Sequence, residues 1–203
     1  MSAVISPRVS LPGTTSMFLR RFTVDEYHRM IDAGVFAKND QFELLDGWIV
    51  AKMPHNPPHD LAVSLGLRQL TNSLPAPWFC RVQSAVTLAT SEPEPDLAVV
   101  QGPERRFAAS HPTPRDIALL VEVADSRLAD DRREKGALYA QANIAEYWIV
   151  NLVDRRAEVY TDPSGPVVDP QYRQHRNFDV NESVPLTING QLMAMIAVAD
   201  LLP

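Results

Sequence analysis

The sequence predicts an α/β fold: a mixed central β-sheet flanked by helices, with an N-terminal helix and a β-hairpin as an extension. Three observations carry this. Asn56-Pro57-Pro58 opens a long helical pattern, Ile117 to Val123 is apolar throughout except for Glu122, and a second helical stripe precedes a further strand at Ile144–Val150. An unbroken apolar run of that kind marks a central strand buried on both faces.

Each element has its own local cause. Thr23 followed by Glu26 is a capping-box signature, and Phe22, Tyr27, Met30 and Ile31 supply the apolar stripe of a short helix that Gly34 ends. Gln41 to Met53 holds two apolar runs around Asp46-Gly47, the dipeptide preferred in type I′ hairpin turns. Asn56 then caps a helix to about Ser73. Its stripe of Val63, Leu67, Leu70 and Leu74, with Leu61 and Leu65 on the neighbouring face, predicts a mostly buried helix.

Pro75 and Pro77 break that helix, and β-like runs follow at Phe79–Val82 and Ala85–Ala89. Ser91–Pro95 is held extended by its prolines, reads as a solvated loop and leads into a strand at Asp96–Val100. A polar loop over about 101–115 precedes the central run. Asp130 is placed to cap a helix over about 131–142, and Asp154-Arg155 turns the chain into a strand at Ala157–Tyr160. Beyond Thr161 the sequence predicts only loops and short strands.

Composition limits the function classes. With 203 residues, 45% of them apolar and 22% charged, the chain is expected to form one domain over 21–203 after a flexible tail over 1–20. Cys80 is the lone cysteine, which excludes an internal disulfide and a thiolate zinc cluster and leaves the cytoplasm as the expected compartment. The first residues lack the apolar core of a signal peptide, and no stretch approaches the roughly 18 apolar residues of a membrane span. A net charge of −6 argues against strong sequence-independent binding to nucleic acid.

Asp96 stands at the mouth of one predicted strand, and Glu122 follows 26 residues later near the end of another. If the strands are neighbours, the two carboxylates converge. An ionised glutamate inside an apolar strand costs several kcal/mol unless a cation or hydrogen-bond donors compensate it. Lys135 is the geometric candidate, because positions 135, 138, 139 and 142 form one inward helical stripe, whereas Arg132 and Arg133 lie towards the exposed flank. Two convergent carboxylates suit Mg²⁺, with Mn²⁺ as an alternative, and a lysine beside them suits phosphodiester hydrolysis.

The stretches FTVDEYHRMIDAG (22–34), FELLDGWIV (42–50), PHNPPHDLAVSLGLRQL (54–70), RVQSAVTLATSEPEPDLAVV (81–100) and LLVEVADSRLADDRREKGALYAQANIAEYWIVNL (119–152) resemble the Uma-type family of bacterial restriction endonucleases. That family is a branch of the PD-(D/E)XK nuclease superfamily. The resemblance implies a restriction-endonuclease-like core and a Mg²⁺-dependent endonuclease acting on DNA as a homodimer. Pro95-Asp96 resembles the PD, and Glu122 resembles the acidic member of (D/E)XK. Ala124 stands where the lysine of the motif belongs, and the resemblance implies that Lys135 replaces it from the next helix.

Glu43, His59 and Gln83 are accessory candidates for metal or substrate contact, each with a solvated, capping or surface role as the plainer reading. His55 and His59 are four apart, but His55 precedes the Asn56 cap and is not expected to share a helical face with His59, which argues against a zinc pair. Tyr139, Tyr147 and Trp148 are expected to pack in the core or at a subunit interface. The alternative function is an inactive nuclease-fold module for nucleic-acid or protein binding, favoured by Ala124 and the acidic charge.

Overall fold

The computed structural model describes residues 19–37, 40–125 and 128–203. The tail expected over 1–20 lies outside the described residues up to position 18. The chain divides into two compact units. One runs to Lys52 and includes Ala89–Pro93; the other comprises Met53–Leu88 and Glu94–Pro203.

In the first unit the capping box closes as expected. The Thr23 side chain accepts from the Glu26 amide, the Glu26 carboxylate accepts from the Thr23 amide, and α1 (Val24–Asp32) follows. Val24 and Tyr27 cluster with Leu44, but Ile31, on the same face in the last turn of this nine-residue helix, is 48% exposed. Strands β1 (Phe42–Leu45) and β2 (Trp48–Ala51) form the hairpin, with φ of 45° at Asp46 and 79° at Gly47 as a type I′ turn requires. Glu43 is buried on β1 rather than solvated. Glu92 is buried too, with its amide on the Leu44 carbonyl at 2.7 Å and its carboxylate on His28 Nε2 at 2.7 Å, so this part of the proline segment is not a solvated loop.

The second unit is built on α2 (Pro57–Ser73) and a six-stranded mixed sheet of β3 (Trp78–Val82), β4 (Leu97–Gln101), β5 (Ile117–Ala124), β6 (Glu146–Asn151), β7 (Arg156–Pro163) and β8 (Tyr172–Asp179), ordered as numbered. All pairings are antiparallel except β5 with β6. A parallel pair needs a crossover connection. Here it is helical: α3 (Leu128–Asp130), a π-helical turn (Asp131–Lys135) and α4 (Gly136–Gln141). Strands β9 (Ser183–Ile188) and β10 (Gln191–Ala197) form a separate hairpin.

Alternation along the strands divides the sheet into two faces. Leu97, Val99, Leu119, Val121, Trp148, Val150 and Val159 share one core cluster with Ala62, Val63 and Leu70 of α2 and with Val184, Leu186 and Ile196 of the β9–β10 hairpin. Every residue of β5 is buried, as its apolar run predicts. Among the described residues no helix is long and apolar enough to cross a membrane.

Four local expectations are corrected. Helix α2 is not mostly buried: it packs through Ala62, Val63, Gly66 and Leu70, and Leu61 on the flank is 47% exposed. Residues 85–89 form no strand, since the Thr87 amide donates to the Pro112 carbonyl of a loop rather than to a neighbouring strand. Asp130 is no cap, because the helical backbone starts at Leu128 and Asp130 already has φ −71° and ψ −43°. Beyond Thr161 the chain makes β8, an eight-residue edge strand whose mostly exposed side chains hide the apolar alternation that announces strands elsewhere.

Leu119 is fully buried on the central strand. Leu119→Ala should therefore lower the unfolding free energy by about 2–5 kcal/mol in urea titration.

Candidate functional site

Asp96 immediately precedes β4, and Glu122 is the sixth residue of the neighbouring β5. Pairing of Leu97 with Val121 makes Asp96 and Glu122 the next residues along the antiparallel ladder. Asp96 Oδ2 accepts from the Val123 amide at 2.8 Å, so one carboxylate is pinned to the backbone beside the other. Glu122 is 3% exposed, and its Oε1 receives Lys135 Nζ at 2.8 Å and the Tyr139 hydroxyl at 2.7 Å. Among the described residues, no hydrogen bond falls on Oε2.

The inward phase of Lys135 and Tyr139 was legible as a helical stripe, but the π turn alters how it is achieved. Arg132, three residues before Lys135, also reaches the sheet, and its Nε donates to Glu158 Oε2 at 2.8 Å. Arg133 alone stays on the exposed flank, contrary to the expectation for Arg132. The register Glu122–Ile149–Glu158 sets the two carboxylates in one cross-strand row with an isoleucine between them.

His59 and Gln83 both meet Asp96. His59 Nε2 lies 3.1 Å from Oδ2, and Gln83 Nε2 donates to Oδ1 at 3.3 Å from a backbone with φ 41°. The Asn56 cap has two roles: its Oδ1 accepts from the His59 amide at 3.1 Å, and its Nδ2 donates to Asp125 at 2.5 Å. One side chain thus ties the start of α2 to the end of the Glu122 strand. Glu43 belongs to the other unit.

The electrostatics follow burial and partners. Burial pushes the Asp96 carboxyl up, but the hydrogen bond and charge of His59, the Val123 amide and Lys135 outweigh it and hold Asp96 below the usual range. Burial dominates at Glu122 and raises it, opposed by Lys135 and reinforced by the charges of Asp96 and Asp131. For His59 burial acts downwards, yet Asp96, Asp60 and Glu122 together hold the imidazole above its ordinary value. The Cys80 thiol is pushed up to about 12 by burial, which leaves it a packing group.

Sequence reasoning missed three participants. Tyr139, expected only to pack, is fully buried and donates to Glu122. Asp131 is a buried carboxylate whose charge acts on Glu122, and its place on the π turn has no sequence signal. His55 was separated from His59 by the cap argument, yet their rings stack across the extended Asn56 cap with centroids 4.1 Å apart. Tyr147 and Trp148 are core residues as expected.

The sequence profile of the Uma2 family, described as "Putative restriction endonuclease", matches residues 24–197. A crystal structure from Anabaena variabilis ATCC 29413, described as that of a "putative nuclease", has the same fold, with a TM-score of 0.66 over 89% of this chain and 97% of that chain at 16% identity. No curated protein matches the chain significantly.

Glu158 provides a pH test of the packing behind the site. Burial alone would raise its carboxyl, but hydrogen bonds from Arg132, Asn151 and Tyr160 bring it down to about 2, from an ordinary 4.5. A depressed carboxyl stabilises the fold fully above its unfolded value, so this contribution is lost as pH falls from about 4.5 through about 2. Glu158→Gln should flatten that part of the stability–pH curve, as followed by circular dichroism melts.

Proposed function

Because the chain belongs to the Uma2 family, we propose that it is a divalent-metal-dependent endonuclease that hydrolyses DNA phosphodiester bonds. The observation that carries the reading is the pair Asp96 and Glu122, set side by side on neighbouring strands with the Lys135 ammonium on one of them. The donor set fits a hard cation. Both ligands are carboxylates, Glu122 Oε2 has no hydrogen bond among the described residues, and Asp96 Oδ1 has only the long Gln83 contact. Mg²⁺ or Mn²⁺ held there would supply Lewis acidity at a phosphodiester oxygen.

The chain's own groups account for the rest. Val123 and His59 hold Asp96 in one orientation, and Tyr139 does so for Glu122. Lys135 takes the role that Ala124 cannot fill: its charge offsets negative charge building on the phosphoryl oxygens, and its amine helps to orient the attacking water. A homodimer would present two such sites to the two strands of a duplex. The rival reading, an inactive binding module, draws on Ala124, which is buried and chemically inert at the motif position.

Cleavage of plasmid and single-stranded DNA, and of RNA, with Mg²⁺ or Mn²⁺ tests the reading. Wild type should cut DNA and Asp96→Ala should not; a folded, metal-supplied wild type without cleavage would favour the binding module. Lys135→Ala should lower turnover by about two to four orders of magnitude while metal binding persists. If Lys135 is only the structural partner of Glu122, its melting temperature falls instead and turnover per folded molecule is retained. Tyr139→Phe should weaken metal affinity or activity by about 10- to 100-fold, the scale for losing a group that orients a ligand. Light scattering at micromolar concentration should read twice the chain mass, and a clean monomer would remove the dimer.

A further inference from the structure

Next to the carboxylate pair lies a group of different chemistry. His55, His59 and Asp60 bring ligand atoms to within 4.8 Å of one another at the start of α2. His55 Nδ1 is 3.8 Å from Asp60 Oδ1, and His59 Nδ1 is 3.7 Å from the same oxygen.

Hydrogen-bond logic assigns the nitrogens. The Asp96 carboxylate only accepts, so His59 Nε2 donates to it and Gln83 presents its amide NH₂. The same Gln83 nitrogen lies 3.0 Å from His55 Nδ1, which therefore accepts and bears a lone pair. His59 is 8% exposed, and its Nδ1 is buried without a hydrogen-bond partner among the described residues. If Nδ1 carries a lone pair, no donor among the described residues meets it; if it carries a proton, Asp60 at 3.7 Å is too distant to accept it. Buried polar atoms are rarely left so. A cation satisfies it, and Asp96–His59 then becomes the carboxylate–histidine pair that commonly backs a metal-bound imidazole.

We infer that His55, His59 and Asp60 form a second metal site, selective for a borderline transition ion such as Zn²⁺. Two imidazoles and one carboxylate suit Zn²⁺ and not Mg²⁺, which prefers oxygen ligands throughout. Three protein ligands leave a fourth position for water or a substrate oxygen. The side chains of Asp60 and His55 are 64% and 32% exposed, so an ion reaches the site from solvent. The positive end of the α2 dipole opposes a cation here, and the carboxylates of Asp60 and Asp96 offset it. On binding, the Gln83 contact with His55 gives way to the ion.

The test uses the full-length chain stripped of metal, titrated with Zn²⁺ by calorimetry and with Co²⁺ by visible absorption. Wild type should bind one equivalent of Zn²⁺ at micromolar concentration, and Co²⁺ should show a d–d band of an imidazole-containing site. Excess Mg²⁺ should not displace either. Glu122→Gln should bind Zn²⁺ like wild type, which separates this site from the acidic pair whether or not the protein cleaves DNA. His55→Ala and Asp60→Asn should each weaken Zn²⁺ by at least about 10-fold. Their metal-free melting temperatures should match wild type, and the exposed, near-isosteric Asp60→Asn keeps the test valid if His55→Ala unfolds. Absence of Zn²⁺ binding to wild type, loss of it in Glu122→Gln, or unchanged affinity in folded Asp60→Asn would each overturn the inference.

Discussion

The second unit is organised around one costly placement, the carboxylate of Glu122 inside a strand that is otherwise wholly apolar. Burial opposes its ionisation. Relief comes from the crossover that parallel pairing of β5 and β6 already requires. Its helix starts where β5 ends, so its first turns lie beside Glu122, and Lys135 and Tyr139 place an ammonium and a hydroxyl on a single oxygen.

The π turn extends the same solution across the sheet. Arg132 and Lys135 lie three apart, yet both engage carboxylates on one face, on strands β7 and β5. Two strand spacings put those carboxylates roughly 9–10 Å apart, so neither cation neutralises the other's partner. The two pairs then diverge in character. Glu158 is saturated by Arg132, Asn151 and Tyr160 and stays fully ionised, whereas Glu122 keeps an oxygen with no hydrogen bond among the described residues and an elevated carboxyl. The first is a structural tie, and the second is a group that gains from a cation.

Helix α2 contributes to the site through its first turn alone. Asn56 satisfies a helix amide and also grips Asp125 at the end of β5, so the cap that starts the helix also sets its position against the sheet. His59 then reaches Asp96 because it occupies the third position of that turn. Aliphatic packing of Ala62, Val63 and Leu70 holds the rest of the helix on the opposite face of the sheet from the Glu122 row.

What the sequence determined by itself is what local physics controls. The capping box at Thr23, the I′ turn at Asp46-Gly47, the Asn56 cap and the buried run of β5 follow from dihedral preference, hydrogen-bonding groups near in sequence, and period. Asp96 was legible as a carboxylate at the mouth of a predicted strand, Glu122 as a charge in an apolar strand and Lys135 as a charge on an inward stripe. Tertiary structure alone decided which distant side chains meet. Tyr139 looks like any core aromatic on its inward stripe until the folded helix sets its hydroxyl on Glu122. His55 stacks on His59 across the extended Asn56 cap, where no helical period applies. Glu92 was misjudged as solvated because its partner His28 lies 64 residues away. Such contacts depend on register and helical phase, which the folded packing sets and no short window of residues contains.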